Sequence, residues 1–345
     1  MDINSTKRGG PYVACKNIME SFLKDEFDFK EIIYDNRLGR FISWKRIKNL
    51  RDQLRKIKPD SVIITGLQLS CFHVCVAALL SGVKSRIITI HGSSIEARGL
   101  PWYSRNILYL IEFLSLMLCT SFYGVSKYAS TISATRLFKQ KNRGHVYNVA
   151  TTIPHKSGIT REELGFKPSD IIVSSSGRII KDKGYEYLAS AIKRIREPNI
   201  KFIIIGDGVY REELKDVLAE EIAIGRVILT GFTENVYSYL NISDIFILPT
   251  LHETLSVSLL EASAMSLPLI SCNVGGVPEV VENNVNGLLV APGDAEALQK
   301  AIETLADDEK KRHKMGEESL KHLHQVFDNK KSLARLREII TSDLE

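Results

Sequence analysis

His252-Glu253-Thr254-Leu255-Ser256-Val257-Ser258-Leu259-Leu260-Glu261 is followed at once by Ala262-Ser263-Ala264-Met265-Ser266-Leu267-Pro268. Two carboxylates stand eight positions apart, joined by small, hydroxylated and apolar residues. Asp244 to Pro249 reads as a short buried strand, then a turn, then a helix from about Ser256 to Met265. The backbone N–H groups of Thr254, Leu255 and Ser256 are the expected free donors at that helix start. With the positive end of the helix dipole, such donors suit a phosphate. Glu261, in the second turn, is expected beside that anion, where a carboxylate accepts bonds from a diol such as a ribose. On one continuous helix eight residues span roughly 12 Å, beyond the ~5–9.5 Å of a glycosidase acid/base pair. Glu253 is expected in the turn, so the spacing only weakens that alternative.

Strand-like and helix-like segments alternate along most of the chain, which predicts α/β, doubly wound architecture. Expected strands are Ser61–Thr65, Arg86–Ile90, Ser121–Val125 and His145–Val149 in the first half. The second half offers Ile171–Ser175, Lys201–Ile205, Val227–Leu229, Ile245–Leu248, Leu269–Ser271 and Leu288–Val290. At 345 residues the chain exceeds one ordinary core, so two domains are expected. The break falls in the polar stretch with Pro154 and Pro168. Boundaries are set at 1–152, 153–327 and a terminal helix within 328–345 that returns to the first domain.

Several ordered motifs then carry a family likeness. They are Ser176-Gly177-Arg178 with Lys183-Gly184-Tyr185, Phe202 to Gly208, Leu229-Thr230-Gly231-Phe232, the Glu253/Glu261 block, Gly275-Gly276-Val277-Pro278-Glu279 and Asn286-Gly287-Leu288-Leu289-Val290. Together they resemble the retaining GT-B glycosyltransferases, especially family 4 (glycosyl transferases group 1). The likeness is close from about Ile171 to Gly293. Earlier it rests on Gly9-Gly10, His91-Gly92 and Tyr123-Gly124-Val125-Ser126. The resemblance implies a GT-B fold, two Rossmann-like domains facing a cleft. It implies a hexosyltransferase that moves a sugar from a UDP- or GDP-sugar donor to a glycan acceptor.

Site roles follow residue by residue. Arg178 and Lys183 follow a buried strand and match the family's paired diphosphate-binding cations; preorganised charge of this kind stabilises the leaving group. Gly9 and Gly10 let backbone approach the donor closely. Thr254, Leu255, Ser256 and Glu261 complete the donor-binding set. His91 matches a histidine facing the donor sugar, either hydrogen-bonding a hydroxyl or supporting developing charge; a core or capping histidine is the plain alternative. Glu253 matches the residue that contacts the transferred sugar, with a nucleophilic role also open. His91 and Glu253 are the catalytic candidates, and same-face displacement with retention is the expected course. No Asp-x-Asp occurs. No metal and no cofactor are therefore expected, with side-chain cations taking the role of Mg²⁺. Phe202 to Gly208 also looks like a dinucleotide fingerprint, but Arg211 stands where its third glycine belongs, so the signal for NAD is weak.

Net charge is +5, and it is unevenly spread. Residues 1–150 hold 23 Lys+Arg against 11 Asp+Glu, leaving 23 against 30 for the rest. A basic half points to an anionic partner. Ser43 to Lys58 (SWKRIKNLRDQLRKIK) is a basic amphipathic segment with a tryptophan, suited to an anionic membrane surface or to a helix packing its stripe on its own sheet. It lacks the clustered aromatics that stack bases, which argues against nucleic acid. Ile107 to Cys119 (ILYLIEFLSLMLC) is short of a membrane span and reads as a buried helix, with an interfacial face near Trp102, Tyr103 and Arg105 as the lesser alternative.

The basic half and the family habit together point to a lipid-linked acceptor and to surface polysaccharide assembly (lipopolysaccharide, O-antigen or capsule). The five scattered cysteines and the lack of a visible signal peptide fit a cytoplasmic protein, peripheral on the inner face of the membrane. Met1 to Arg8 is too polar for the buried strand that normally precedes the Gly-Gly loop, so the first strand is expected to be missing. That keeps open a non-catalytic nucleotide-sugar-binding subunit, beside an epimerase or phosphorylase on the same fold.

Overall fold

A computed structural model describes residues 2–4, 10–34, 42–93, 101–148 and 158–345. It divides into two compact units. Met1–Ala150 with Phe327–Glu345 form one, and Thr151–Val326 the other. Gly9, the Pro154 stretch and Val149 lie outside the described residues.

Among the described residues the first unit contains six strands: β1 Asp2–Asn4, β2 Ile32–Tyr34, β3 Ser61–Thr65, β4 Ser85–Ile90, β5 Ser121–Gly124 and β6 Asn142–His145. β1 pairs with β2, and β3-β4-β5-β6 form a second sheet, every pairing parallel. Apolar runs such as Val62–Ile64 and Ile87–Ile88 are buried, as expected where helices cover both faces of a parallel sheet. Ile63, Ile87 and Tyr123 pack with Cys15 and Ile18 of helix Gly10–Glu20 and with Leu333 and Leu336 of the terminal helix Asn329–Leu344. Alternation along the strands sends Val62, Ile64, Ile88 and Phe122 to the other face. There the helices Trp44–Ile57, Leu69–Leu80 and Trp102–Leu118 pack side by side, followed by the 3₁₀ segment Ser133–Lys141. Asp343 anchors the terminal helix: its carboxylate accepts from Ser85 Oγ at 2.7 Å and Thr120 Oγ1 at 2.5 Å.

Three expectations are corrected here. A strand does form ahead of Gly9: Asp2–Asn4 pairs in parallel with Ile32–Tyr34, a backbone pairing with a segment distant in sequence. The sixth strand falls at Asn142–His145 rather than His145–Val149. Helix Trp102–Leu118 is not a buried helix. Only Ile111, Glu112, Ser115 and Leu116 are enclosed, and Trp102, Tyr103, Ile107, Leu110 and Met117 are exposed.

The second unit holds β7 Ile171–Ser176, β8 Ile200–Ile205, β9 Val227–Gly231, β10 Ile245–Leu248, β11 Leu269–Cys272 and β12 Gly287–Val290. Their order is β12-β11-β10-β7-β8-β9, with all ladders parallel. Chain direction across the sheet reverses between β7 and β10. In an open α/β sheet the crevice beyond the carboxyl ends at such a reversal is the ligand position.

Candidate functional site

The loops leaving β7 and β10 carry most of the predicted donor-binding residues of the second unit. β7 ends at Ser176, and Gly177 and Arg178 follow directly. Arg178 is exposed there. A 3₁₀ turn, Lys181–Lys183, then presents Lys183 and is closed by Gly184 at φ 68°. Gly184 sits so close to β10 that a Cβ would collide with the carbonyl oxygen of Pro249. A larger residue would push the Lys183 turn away from the β10 loop. The two loops are further tied by Leu251 N donating to Asp182 O at 2.9 Å.

That closeness produces the central contact of the site. Lys183 Nζ lies 2.5 Å from Glu253 Oε2, and both side chains are largely buried, 16% and 12% exposed. The Gly275-Gly276 segment joins them, since Gly276 N donates to Glu253 O at 3.0 Å. One cation, one carboxylate and a glycine loop therefore converge on the carboxyl ends of β7 and β10. Behind them, Ser176 Oγ is buried without a hydrogen-bond partner among the described residues. Gly206, at the end of β8, closes the floor, because any side chain there would strike the carbonyl of Gly177.

The helix after β10 runs Val257–Ala264, one residue later than expected at its start. Ser256 is its N-cap, and its hydroxyl accepts from Leu259 N at 3.2 Å. Thr254, Leu255 and Ser256 thus precede the helix; with Leu259 N taken by the Ser256 cap, the first-turn donors left for an anion are those of Val257 and Ser258. The anion-binding polarity of the helix start is unchanged; the residues supplying it shift by a few positions.

Glu261 lies in the second turn of this helix. Burial raises its carboxyl from 4.5 to about 7. A carboxylate stripped of water in this way is poised to accept hydrogen bonds from a ligand. Tyr237, on the helix Val236–Asn241, has its phenol pushed up by burial and then by the charge of Glu261, which places the two together. No feature of the sequence around Tyr237 signalled this, because their proximity arises only when the two helices pack.

In the first unit, His91 follows β4 directly. Burial lowers its imidazole from 6.5 to about 4, so it is neutral at physiological pH. A neutral imidazole has one ring nitrogen to donate and one to accept, which leaves both roles open to it. His91 lines a small cavity of about 20 Å³ together with Thr65, Thr89, Tyr123 and Asn148, under Cys15 of helix Gly10–Glu20. Gly10 is the first residue of that helix. The cavity opens at the carboxyl ends of β3, β4 and β5, the ligand-facing end of this sheet as well.

Known proteins resemble the chain over this same region. The family described as glycosyl transferases group 1 matches residues 156–322, nearly all of the second unit. The chain is a glycosyltransferase of the GT-B fold. Among its relatives, the capsular polysaccharide biosynthesis glycosyltransferase CapM of Staphylococcus aureus is 24% identical over 323 residues, 86% of this chain and 83% of that protein. The Escherichia coli UDP-Gal:alpha-D-GlcNAc-diphosphoundecaprenol alpha-1,3-galactosyltransferase is 26% identical over 245 residues, 68% of this chain and 63% of that one. Among solved structures, HepE of Anabaena in complex with UDP-glucose superposes with a TM-score of 0.79 at 17% identity, covering 99% of this chain and 98% of that one. The last comparison bears on the fold alone.

Proposed function

We propose that this glycosyltransferase moves a hexose from a nucleotide-sugar donor to a lipid-linked glycan acceptor in surface polysaccharide assembly, with retention and without a metal ion. The observation that carries this is the Lys183–Glu253 ion pair between the loops leaving β7 and β10, with Arg178 on the first of these loops and Glu261 on the helix that follows the second. Glu261 accepts the ribose hydroxyls of the donor. Arg178 and Lys183 hold the diphosphate. The charge that a metal would neutralise elsewhere is met by these two fixed cations, and no Asp-x-Asp is present to bind one.

The chemistry follows from that placement. As the bond between the anomeric carbon and the phosphate oxygen lengthens, negative charge grows on the diphosphate, next to Arg178 and Lys183. Stabilising charge that develops in the transition state is what accelerates the step. The acceptor hydroxyl attacks on the face the diphosphate leaves. Its proton passes to the departing phosphate oxygen, and a new carbon–oxygen bond replaces the old one with the same configuration. Glu253 contacts hydroxyls of the transferred sugar, and His91, a neutral ring in the first unit, is suited to hydrogen-bond a hydroxyl.

UDP or GDP is the proposed carrier. Support for the acceptor class comes from relatives named for capsule biosynthesis, lipopolysaccharide core biosynthesis and a diphosphoundecaprenol-linked substrate. The basic helix within Ser43 to Lys58 supports a peripheral position on the inner face of the membrane. The test is a transfer assay with UDP- and GDP-hexoses and a polyprenyl-diphosphate glycan, run with and without EDTA, with the product anomer assigned by NMR. An axial product from an axial donor, insensitive to EDTA, is expected. An inverted product or loss of activity in EDTA overturns the mechanism, and failure with every acceptor overturns the pathway.

A further inference from the structure

Both tryptophans of the chain, Trp44 and Trp102, stand in the open, 72% and 76% exposed. Tryptophan is ordinarily well buried on average, so two in solvent mark a surface with a use. They begin two helices of one layer, Trp44–Ile57 and Trp102–Leu118, which cover the same face of the β3–β6 sheet with Leu69–Leu80 between them. Tyr103, Ile107, Leu110 and Met117 are exposed along the second of these. Their spacing of three, four and seven places them on one stripe.

Charge on the same layer is one-sided. Lys45, Lys48, Arg55 and Lys56 are exposed on the first helix and Arg105 on the second, and Arg136 and Lys139 follow on the adjoining 3₁₀ segment. Asp52 is the only exposed acid on these helices among the described residues, and Arg51 Nη2 holds it at 2.9 Å. Glu112 is fully buried.

We infer that this helix layer is a membrane-docking surface, with the aromatic and apolar stripe of Trp102–Leu118 seated in the headgroup region of an anionic bilayer and the flanking lysines and arginines on lipid phosphates. An apolar stripe with indoles at its end and cations around it satisfies both layers of a lipid interface, the acyl boundary and the charged headgroups. From Tyr103 to Met117 the stripe is roughly 20 Å long, enough to lie along a surface. Among the described residues no helix is long and apolar enough to cross a membrane, so the stripe lies on the bilayer rather than through it. The surface deepens the localisation proposed above, which named the basic helix alone. Its test contains no sugar nucleotide or acceptor, so its failure and failure of the transfer reaction are separately visible.

The two tryptophans are themselves the probe. Full-length protein is mixed at 0.15 M salt with vesicles of phosphatidylcholine and phosphatidylglycerol at 7:3, and with phosphatidylcholine alone. Anionic vesicles are expected to shift emission to the blue, to protect the indoles from acrylamide and to sediment the protein. Binding to neutral vesicles is expected to be about 100-fold weaker, since each cation near an anionic surface contributes several-fold. Trp44→Phe and Trp102→Phe leave one reporter each, and both remaining indoles are expected to shift. Ile107→Ser with Leu110→Ser, on exposed positions, is expected to weaken binding at least tenfold while circular dichroism is unchanged. Unshifted emission with anionic vesicles overturns the assignment, as does equal binding to both vesicle types. Blue emission before any vesicle is added, with a dimer mass in sedimentation, assigns the patch to a second copy of the chain and also overturns it.

Discussion

Replacing Glu253 with glutamine separates two effects that act on the same donor. In the second unit Lys183 is engaged by Glu253 at 2.5 Å. A diphosphate that takes up Lys183 on its free side brings its own charge to roughly 5 Å from the carboxylate, where two like charges repel by about 3 kcal/mol at an effective dielectric of 20. Solvent at a partly open site takes about half of that away, leaving about 1.5 kcal/mol, or roughly tenfold in affinity. Glu253→Gln is therefore expected to bind the free nucleoside diphosphate about tenfold more tightly than the natural protein. It is expected at the same time to lose transfer by at least about 100-fold, because the sugar contact goes with the charge. Isothermal titration with UDP and GDP reads the first effect, and turnover of the corresponding hexose donor reads the second. High salt should shrink the affinity gain. If Glu253→Gln binds the diphosphate more weakly than the natural protein, the carboxylate is positioning Lys183 rather than competing for it, and the reasoning is refuted.

Other outcomes follow from the same structure. Glu261 has its carboxyl raised by burial, so its stabilising protonated form is fully present below pH 4.5 and lost as pH rises through about 7. Glu261→Gln should remove that loss, raising stability at pH 8 by at most about 3 kcal/mol in thermal melts without nucleotide. His91 is held neutral down to about pH 4, so its contribution to stability is present above 6.5 and lost as pH falls through 4. His91→Gln should accordingly leave the pH–rate profile unchanged in shape between pH 5 and 8; a basic limb that disappears in this variant would contradict a neutral role. Asp343, with its side chain 3% exposed and two hydroxyl donors, anchors the terminal helix. Asp343→Ala should cost about 1–2 kcal/mol in urea unfolding, since two charge-assisted hydrogen bonds go while Ser61 Oγ and Arg86 O remain as partners for the hydroxyls.

How much of this was legible beforehand depended on the range over which each feature is determined. Ile171–Ser176, Ile245–Leu248 and Leu269–Cys272 were readable as strands because their apolar runs are buried from both sides. Lys183 and Glu253 could each be singled out, but they meet across 70 residues of chain, so their ion pair needed the fold to appear. The strand Asp2–Asn4 was invisible because it is three residues long and its ladder partner, Ile32–Tyr34, is distant in sequence. At the other extreme, Ile107–Cys119 looked like core because its hydrophobicity is nearly unbroken. Periodicity cannot tell an apolar face that packs inward from one left outward. The helix start at Val257 differed from the expected one by a single residue because Ser256, a good N-cap, took the capping position. The Tyr237–Glu261 pairing had no local signal at all.

The central claim is that the β7/β10 crevice binds a nucleotide through Glu261 and the paired cations. Its most direct test is a thermal-shift titration of the natural protein and Glu261→Ala against UDP, GDP, ADP and CMP. One nucleotide, UDP or GDP, is expected to stabilise the natural protein by about 2.7 kcal/mol when present at 100 times its dissociation constant. Glu261→Ala should show no such gain. Stabilisation by none of the four, or by the same amount in the variant, would contradict the account.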